Sequence, residues 1–404
     1  MRILIINQCF YPDVAATAQH AWDLARHMQR KGYTVTAVAS RSAYGERGNS
    51  FAKEERVDDV LIERIGTNRF GKAGLLGRAI DFAAFYLLAT WRVARLPKQD
   101  VVICLTTPPF VVLIGLLLKA MRGSKVIYWV MDLYPDIAVS FGAIDHRSPV
   151  ARVLSFLHRW ALQRCDGIVV LGRCMRDRIL AKGVSSAVLE VINTWSNPDE
   201  VAFPEGKTNE FRTRWAPHGE VLLMYSGNFG LGHDFETLVN ALASLPSLPS
   251  WRIALVGGGK RKAEFMAMLR SQTSCQFAEA PHQPREQLGE LLCAADIHLV
   301  TLKHGFEGLM VPSKFYGAMS AGKPVLFIGP RTSEVALAIQ DSCAGVVVEP
   351  GDADSLKRAL AEVISNSALR AEMASRALQS AKTKWSSEIA LERWSDLIER
   401  ISRG

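Results

Sequence analysis

The apolar positions of this chain fall mostly in short unbroken runs, without the alternation expected of a sheet that wets one face. Ile3 to Asn7, Tyr33 to Ser40, Asp100 to Leu105, Lys125 to Met131, Gly167 to Leu171 and Leu189 to Ile192 read as strands buried on both sides, the pattern of a parallel sheet. Segments of helical spacing separate them: Thr17 to Lys31 stopped by Gly32, the region Arg69 to Lys98, an apolar stretch from the Thr106-Thr107-Pro108-Pro109 turn to Gly123, and Arg173 to Lys182. Strand and helix in alternation predict a doubly wound α/β unit. The turn-rich Asn193-Thr194-Trp195-Ser196-Asn197-Pro198 and the weakly periodic residues up to Gly219 interrupt this pattern. It then restarts with strands at Val221 to Tyr225, Arg252 to Val256, Gln276 to Ala278, Ile297 to Leu302, from Pro324 onward and at Gly345 to Val348, and with helices at Phe235 to Leu245, Arg285 to Ala294 and Ala353 to Ile364. The expected organisation is two Rossmann-like α/β domains, 1–198 and 199–384. An amphipathic helix within 385–404 is placed to cross back to the first domain.

Length agrees with that division, because 404 residues exceed what one growing core accommodates. The net charge of +8 and a pI near 9.1 favour anionic partners without choosing among nucleotides, nucleic acid and acidic membrane. Seven scattered cysteines with no CxxC spacing suit reduced thiols in the cytoplasm better than disulfides or zinc. The opening MRILIINQCF leads into Tyr11-Pro12-Asp13 where a small-residue cleavage site would stand, so it reads as a strand and not as a signal peptide. The longest apolar run, Phe110 to Leu118, is far short of the roughly 20 residues that span a bilayer. Contact with a bilayer surface is another matter. Between Arg69 and Lys98 the basic residues Arg69, Lys72, Arg78, Arg92, Arg95 and Lys98 outnumber the lone Asp81 and interleave with Phe82, Phe85, Tyr86 and Trp91. This is either an interfacial helix facing anionic lipid or a core helix with solvated ends. The first reading places the protein peripherally on the cytoplasmic face of an anionic membrane.

Two loops carry the candidate chemistry. In the stretch TLKHGFEGLMVPSKFYGAMSAGKPVLFIG, Val311-Pro312-Ser313-Lys314 opens a helix, where outward N–H groups and a first-turn lysine suit a phosphate. The glycine turn Tyr225-Ser226-Gly227-Asn228-Phe229-Gly230 is positioned to approach the same anion from another side. Each loop alone is more often a cap or a turn; the two together point to a diphosphate. A dinucleotide cofactor is disfavoured, because NQCFYPDVAAT after the first strand lacks GxGxxG and Lys262 replaces the third glycine of the Gly257-Gly258-Gly259 segment. Asp132, at the carboxyl end of a strand, is a candidate to hydrogen-bond an acceptor hydroxyl or, more plainly, to cap the next helix. His233, His282 and His304 lack ligand spacing and read as loop or surface residues, with His282 beside Pro281 placed to flank a base.

The motifs Tyr225-Ser226-Gly227-Asn228-Phe229-Gly230, Ala295-Asp296-Ile297-His298, Val311-Pro312-Ser313-Lys314-Phe315, Ala321-Gly322-Lys323-Pro324 and Asp132-Leu133-Tyr134-Pro135 occur together in one order. In this the chain resembles the family-4 retaining glycosyltransferases of the GT-B fold, in the branch that builds exopolysaccharides and O-antigens. The resemblance implies two doubly wound domains facing a central cleft and transfer of a sugar, with retention, from a nucleotide diphosphate sugar to a lipid-linked saccharide. It implies no metal or other cofactor and no nucleic acid partner. Carried over residue by residue, it gives Lys314, Lys303, Glu307 and Asp132 catalytic roles. It assigns the donor to Gly227, Asn228, Gly230, Gly308, Pro312, Ser313 and His282, and the acceptor to Ala16, Thr17 and Asp136. There are departures. Asn228 and His233 stand where many members carry an arginine and a lysine, Gly317 and Leu309 where they carry two glutamates, and Ala15-Ala16-Thr17 where a glycine turn is usual. A nucleotide-sugar epimerase and a non-catalytic nucleotide-sugar-binding relative are the alternatives on the same fold.

Overall fold

The computed structural model describes residues 1–43, 48, 50–68, 70, 74–196, 198–204, 206–245, 251–273 and 275–403. Two units separate, one made of Met1–Asn193 with Leu391–Gly404 and the other of Thr194–Ala390. In the first, strands β1 (Arg2–Ile6), β2 (Thr34–Ser40), β3 (Glu54–Val57), β4 (Val60–Ile65), β5 (Val101–Cys104), β6 (Lys125–Val130), β7 (Gly167–Val170) and β8 (Leu189–Val191) form one sheet. Its order is β3-β4-β2-β1-β5-β6-β7-β8, parallel throughout except for the β3–β4 pair. The continuous apolar runs are the buried centre: Ile3, Leu4, Ile5 and Ile6 are fully covered, as are Val101 to Leu105.

The β3–β4 hairpin has no counterpart in the sequence reading, and its charges explain why. β4 carries Glu63 and Arg64 at positions that turn out buried. Each is matched: Glu63 pairs with Arg92, and Arg64 pairs with Glu55 and donates to the Tyr11 carbonyl at 2.6 Å. A buried charge is tolerated when it is paired and hydrogen-bonded, but it erases the apolar run by which a strand is recognised. The helix Pro149–Leu162 is also new. Ser148 caps it by accepting the Ala151 N–H at 3.1 Å, and a proline fills its first position.

Helices Gly74–Val93, Val112–Arg122 and Pro149–Leu162 are successive right-handed crossovers between β4 and β5, β5 and β6, and β6 and β7. They pack in that order on one face of the sheet. Helix Ala16–Arg30 covers the other face together with the end of the terminal helix Ser387–Arg403. There Lys31 pairs with Glu392 at 2.7 Å, His27 meets Ser395 at 3.0 Å, and the Trp129 and Trp394 rings sit 4.6 Å apart.

The second unit holds β9 (Val221–Ser226), β10 (Trp251–Val256), β11 (Phe277–Ala280), β12 (Ile297–Thr301), β13 (Val325–Ile328) and β14 (Gly345–Val348). They are all parallel, in the order β11-β10-β9-β12-β13-β14. This is the Rossmann order, and it reverses between β9 and β12, the place where such sheets bind ligands. The residues just after Asn193 belong to this unit: helix Pro198–Val201 lies on helix Leu288–Ala294, and Glu200 pairs with Arg285 at 2.6 Å. The division therefore falls a few residues upstream of the sequence boundary at 198. Helices Glu334–Ser342 and Ser367–Lys384 complete the unit beyond those read from sequence.

Candidate active site

The carboxyl ends of β9 and β10 continue into two glycine turns that interlock. Gly227 donates to the Val256 carbonyl at 2.9 Å and Phe229 to the Gly258 carbonyl at 2.9 Å. Gly257 (φ +118°) and Gly259 (φ +150°) both occupy the left-handed side of backbone space. A Cβ on Gly257 would stand 2.1 Å from the Gly227 oxygen, and one on Gly259 would stand 2.5 Å from the Phe229 nitrogen. The glycine triplet is thus required by the neighbouring turn, which the comparison with a dinucleotide fingerprint could not show. Beneath the turns, Tyr225, Phe229, Phe235 and Phe265 form an aromatic floor with centroids 4.6 to 5.5 Å apart along the chain of contacts, tilted between Tyr225 and Phe229 and stacked beyond.

The second loop reaches this turn through a lysine. Pro312 is buried, and the N–H groups of Phe315 and Tyr316 are taken by the Pro312 and Ser313 carbonyls at 3.2 and 3.1 Å. Among the described residues no carbonyl takes the N–H of Ser313 or Lys314. The Lys314 side chain crosses the face of Gly227, its Cε and Nζ 3.1 and 3.4 Å from where a Cβ would be. Nζ donates to the Tyr225 hydroxyl at 2.6 Å, and that hydroxyl donates to the Asn228 carbonyl at 2.9 Å. Part of the lysine remains exposed, but its ammonium end lies deep, and loss of water lowers its pKa to about 7.

Around this pair the charges cancel. His233, read from sequence as a loop or surface residue, is buried and bonds to the Thr301 carbonyl through Nδ1 at 2.7 Å. Burial, then the charge of Lys314, hold its pKa well below the ordinary histidine value, so the ring is neutral and donates from Nδ1. Arg261 reaches the His233 carbonyl at 2.9 Å, Glu236 at 2.5 Å and Glu264 at 2.6 Å. Lys303, at the end of β12, stands 3.8 Å from Glu236. Burial disfavours the charge on Glu236, yet hydrogen bonds from Arg261 and its own backbone, with the Lys303 and Arg261 charges, outweigh it and bring the pKa to about 2. Two carboxylates thus balance Arg261 and Lys303, and Lys314 is the cation without a carboxylate beside it among these groups.

The other residues named from sequence divide between the two units. Gly230 packs on Asn228 and His233, at 3.0 and 3.6 Å from its absent Cβ. His282 accepts the Gly258 N–H at 3.2 Å and so braces the glycine triplet. Glu307 and Gly308 (φ +72°) share the turn before Val311, and Gly317 faces Leu292 at 3.2 Å from its absent Cβ. On the first unit, Asp132 follows β6, takes a long 3.3 Å bond from its N–H to Thr106 Oγ1, and is raised by burial to a pKa of about 6. Asp136 is engaged by Lys182 at 2.8 and 3.0 Å, which competes with the acceptor role given to it. Ala16 and Thr17 open helix Ala16–Arg30, Ala16 exposed and Thr17 half-buried. No group of three histidine, cysteine or acidic side chains is arranged to hold a metal ion among the described residues.

Sequence reasoning found Lys314 and the Gly227 turn, but it missed the Tyr225 hydroxyl and the Arg261–Glu236 pair. A tyrosine ending a buried strand beside a glycine turn is the signal that was available for the first. For the second no short-range signal exists, since the partners are brought together by folding.

Two Rossmann-like units, the second with interlocked glycine turns at its strand-order reversal, define a GT-B glycosyltransferase fold. The chain matches the family described as Glycosyl transferase 4-like domain over residues 16–195 and Glycosyl transferases group 1 over residues 207–380. It belongs to the family-4 glycosyltransferases. It is 26% identical over 366 residues to a probable glycosyltransferase WbjE of Pseudomonas aeruginosa, covering 90% of this chain and 89% of that one. In structure it is similar to Anabaena Alr3699/HepE in complex with UDP-glucose (TM-score 0.73, 13% identity, 99% of this chain and 100% of that one). It is similar also to WaaG, a glycosyltransferase involved in lipopolysaccharide biosynthesis (TM-score 0.69, 19% identity, 98% and 99% covered).

Proposed function

We propose that this protein transfers a sugar, with retention and without a metal, from a nucleotide diphosphate sugar to a lipid-linked saccharide in the assembly of a bacterial surface polysaccharide. The observation that carries the reading is the meeting of Lys314 with the Gly227 turn. Many family members bear cations on that turn; this chain has Asn228 and His233 there, and Lys314 brings an ammonium to it from a different loop. In this reading the Ser313 and Lys314 amides and the Lys314 ammonium hold the diphosphate and stabilise the negative charge that grows as the glycosidic bond breaks. Gly227 and Gly230 let backbone approach the phosphates, while Lys303, Glu307, Gly308 and His282 line the donor. Asp132, mostly ionised at neutral pH with its pKa of about 6, accepts a hydrogen bond from the acceptor hydroxyl, with Ala16 and Thr17 beside the acceptor. The relatives support the setting: UDP-glucose is bound in the HepE structure, and WaaG is described as acting in lipopolysaccharide biosynthesis.

The test is a panel of labelled nucleotide sugars incubated with purified protein and bacterial lipid extract. Label moving into the lipid fraction is the expected result. Interconversion of free donor would support an epimerase instead, and thermal stabilisation by nucleotide diphosphates without turnover would support a binding protein.

The pKa of Lys314 adds a second expectation. A bound diphosphate favours the charged lysine, so the pKa rises on binding from about 7. Affinity therefore levels off below that pH and weakens above it, and at about pH 8 binding takes up most of a proton. Calorimetry of a nucleoside diphosphate in buffers of different ionisation enthalpy reads this uptake directly; enthalpies independent of buffer would remove Lys314 from the phosphate site.

A further inference from the structure

Where helix Gly74–Val93 ends, over the amino-terminal ends of β1, β2 and β4, the first unit holds a cavity of about 300 Å³, at the small end of the range of ligand pockets. Strand register sets one side of it. Arg2 lies beside Thr34, and Thr36 beside Leu61, on neighbouring parallel strands; side chains two apart share a face, so these four and Glu63 line the same wall. Arg92, Arg95, Leu96 and Gln99, from the end of the helix and the segment after it, form the other wall. Arg122 fixes that segment by donating to the Ala94 and Leu96 carbonyls, and Gln99 Nε2 donates to the Pro97 carbonyl at 2.8 Å. Little ordering is left for a ligand to impose.

Several polar groups here are unmatched. Thr36 is 8% exposed and Gln99 5%, yet among the described residues the Thr36 hydroxyl and Gln99 Oε1 have no partner. Neither atom is sealed off, and both residues line the cavity. The Arg2 guanidinium has no partner among the described residues, and Arg95 gives one N–H to the Trp91 carbonyl at 3.3 Å while lying over the Trp91 ring. The carboxylate that lines the cavity, Glu63, is held at both oxygens by Arg92. Asp100 accepts the Arg2 backbone N–H at 2.7 Å and is not part of the lining. Three arginines against one glutamate leave two positive charges uncompensated.

These free groups select a ligand. Two guanidiniums favour a dianion, and their forked N–H groups match phosphate oxygens. Gln99 Oε1 can only accept, so the ligand also carries an O–H or N–H, which a fully ionised phosphate lacks. Leu61, Leu96 and Pro97 offer apolar surface to a carbon skeleton. We propose that this cavity is a second ligand site that binds a phosphorylated sugar or polyol, the phosphate between Arg2 and Arg95 and the hydroxyls on Thr36 and Gln99. The cavity lies at the opposite end of the strands from Asp132, Ala16 and Thr17. Reacting ligands of such sheets bind at the carboxyl ends, so the ligand held here is not the one that reacts. The sequence reading gave Arg92 and Arg95 to membrane contact; both line this cavity, while Arg69 and Lys72 of the same stretch fall outside the described residues.

The experiment is titration calorimetry of the full chain with glucose 6-phosphate, beside glucose and inorganic phosphate as its fragments. Saturable binding of glucose 6-phosphate is expected, about tenfold tighter than either fragment. Arg2→Gln/Arg95→Gln should weaken it about a hundredfold and Thr36→Val about fivefold, with the melting temperatures of the free variants near wild type. Lys314→Met should leave it unchanged, so failure of this site and failure of the donor site read differently. Absence of saturable binding overturns the proposal. So does loss of binding in Lys314→Met, undiminished binding in the arginine variant, inorganic phosphate binding as tightly as the sugar phosphate, or binding only to phosphate displayed on phosphatidylglycerol vesicles.

Discussion

Replacing Lys314 with methionine is expected to lower kcat by about 100- to 1,000-fold, the range found when one preorganised donor to a developing negative charge is removed. The melting temperature should stay within a few degrees of wild type. The asymmetry follows from the geometry. The aliphatic stem that lies across Gly227 is retained in methionine, and only the ammonium 2.6 Å from the Tyr225 hydroxyl is lost. That ammonium is already disfavoured by its surroundings, as its pKa of about 7 records, so folding loses little when it goes. Steady-state kinetics with a saturating donor, beside a thermal melt, separates the two effects. Wild-type turnover in the variant would show that the diphosphate is held elsewhere.

Gly257→Ala is expected to do the reverse, removing about 3 to 5 kcal/mol of stability from the second unit and donor binding with it. The added methyl would sit 2.1 Å from the Gly227 oxygen, which is backbone and has no rotamer to yield. Gly351→Ala is the matched control: its φ of +91° is also left-handed, but nothing lies within 4 Å of the new atom. That variant should show only the backbone cost, about 1 to 2 kcal/mol. Urea unfolding followed by tryptophan fluorescence gives both values. Equal midpoints for the two variants would mean that the turns are looser than their interlocking implies.

What the sequence revealed depended on whether the relevant physics was local. Unbroken runs such as Ile3 to Ile6 and Val101 to Leu105 announced a covered parallel sheet, since such strands are apolar on both faces. The helix opening at Lys314 and the turn at Gly227 were legible as phosphate-seeking pieces, because their chemistry is written in adjacent residues. Their meeting could be supposed only from both following strands of one sheet. The β3–β4 hairpin stayed hidden because Glu63 and Arg64 break its apolar pattern, and their partners Arg92 and Glu55 are set by the fold. Helix Pro149–Leu162 was obscured by Val150, Val153 and Phe156, which blur the contrast between covered and wet sides. His233 does lie in a loop, but its burial was not foreseen for a related cause: a histidine in a glycine-rich segment looks superficial until Thr301 and the aromatic floor are seen to enclose it.

The terminal helix has a consequence for biosynthesis. Trp394 and Ile398 are fully covered, and Ile401 lies against Gly167, so the flank of β6 and β7 is finished by residues translated after the whole second unit. The amino-terminal half leaves the ribosome early but keeps that flank open while nearly two hundred further residues, Thr194–Ala390, are made. The half synthesised second can close its own sheet first, and a nascent chain stalled short of residue 391 would present Trp129 to chaperones rather than to its partner ring.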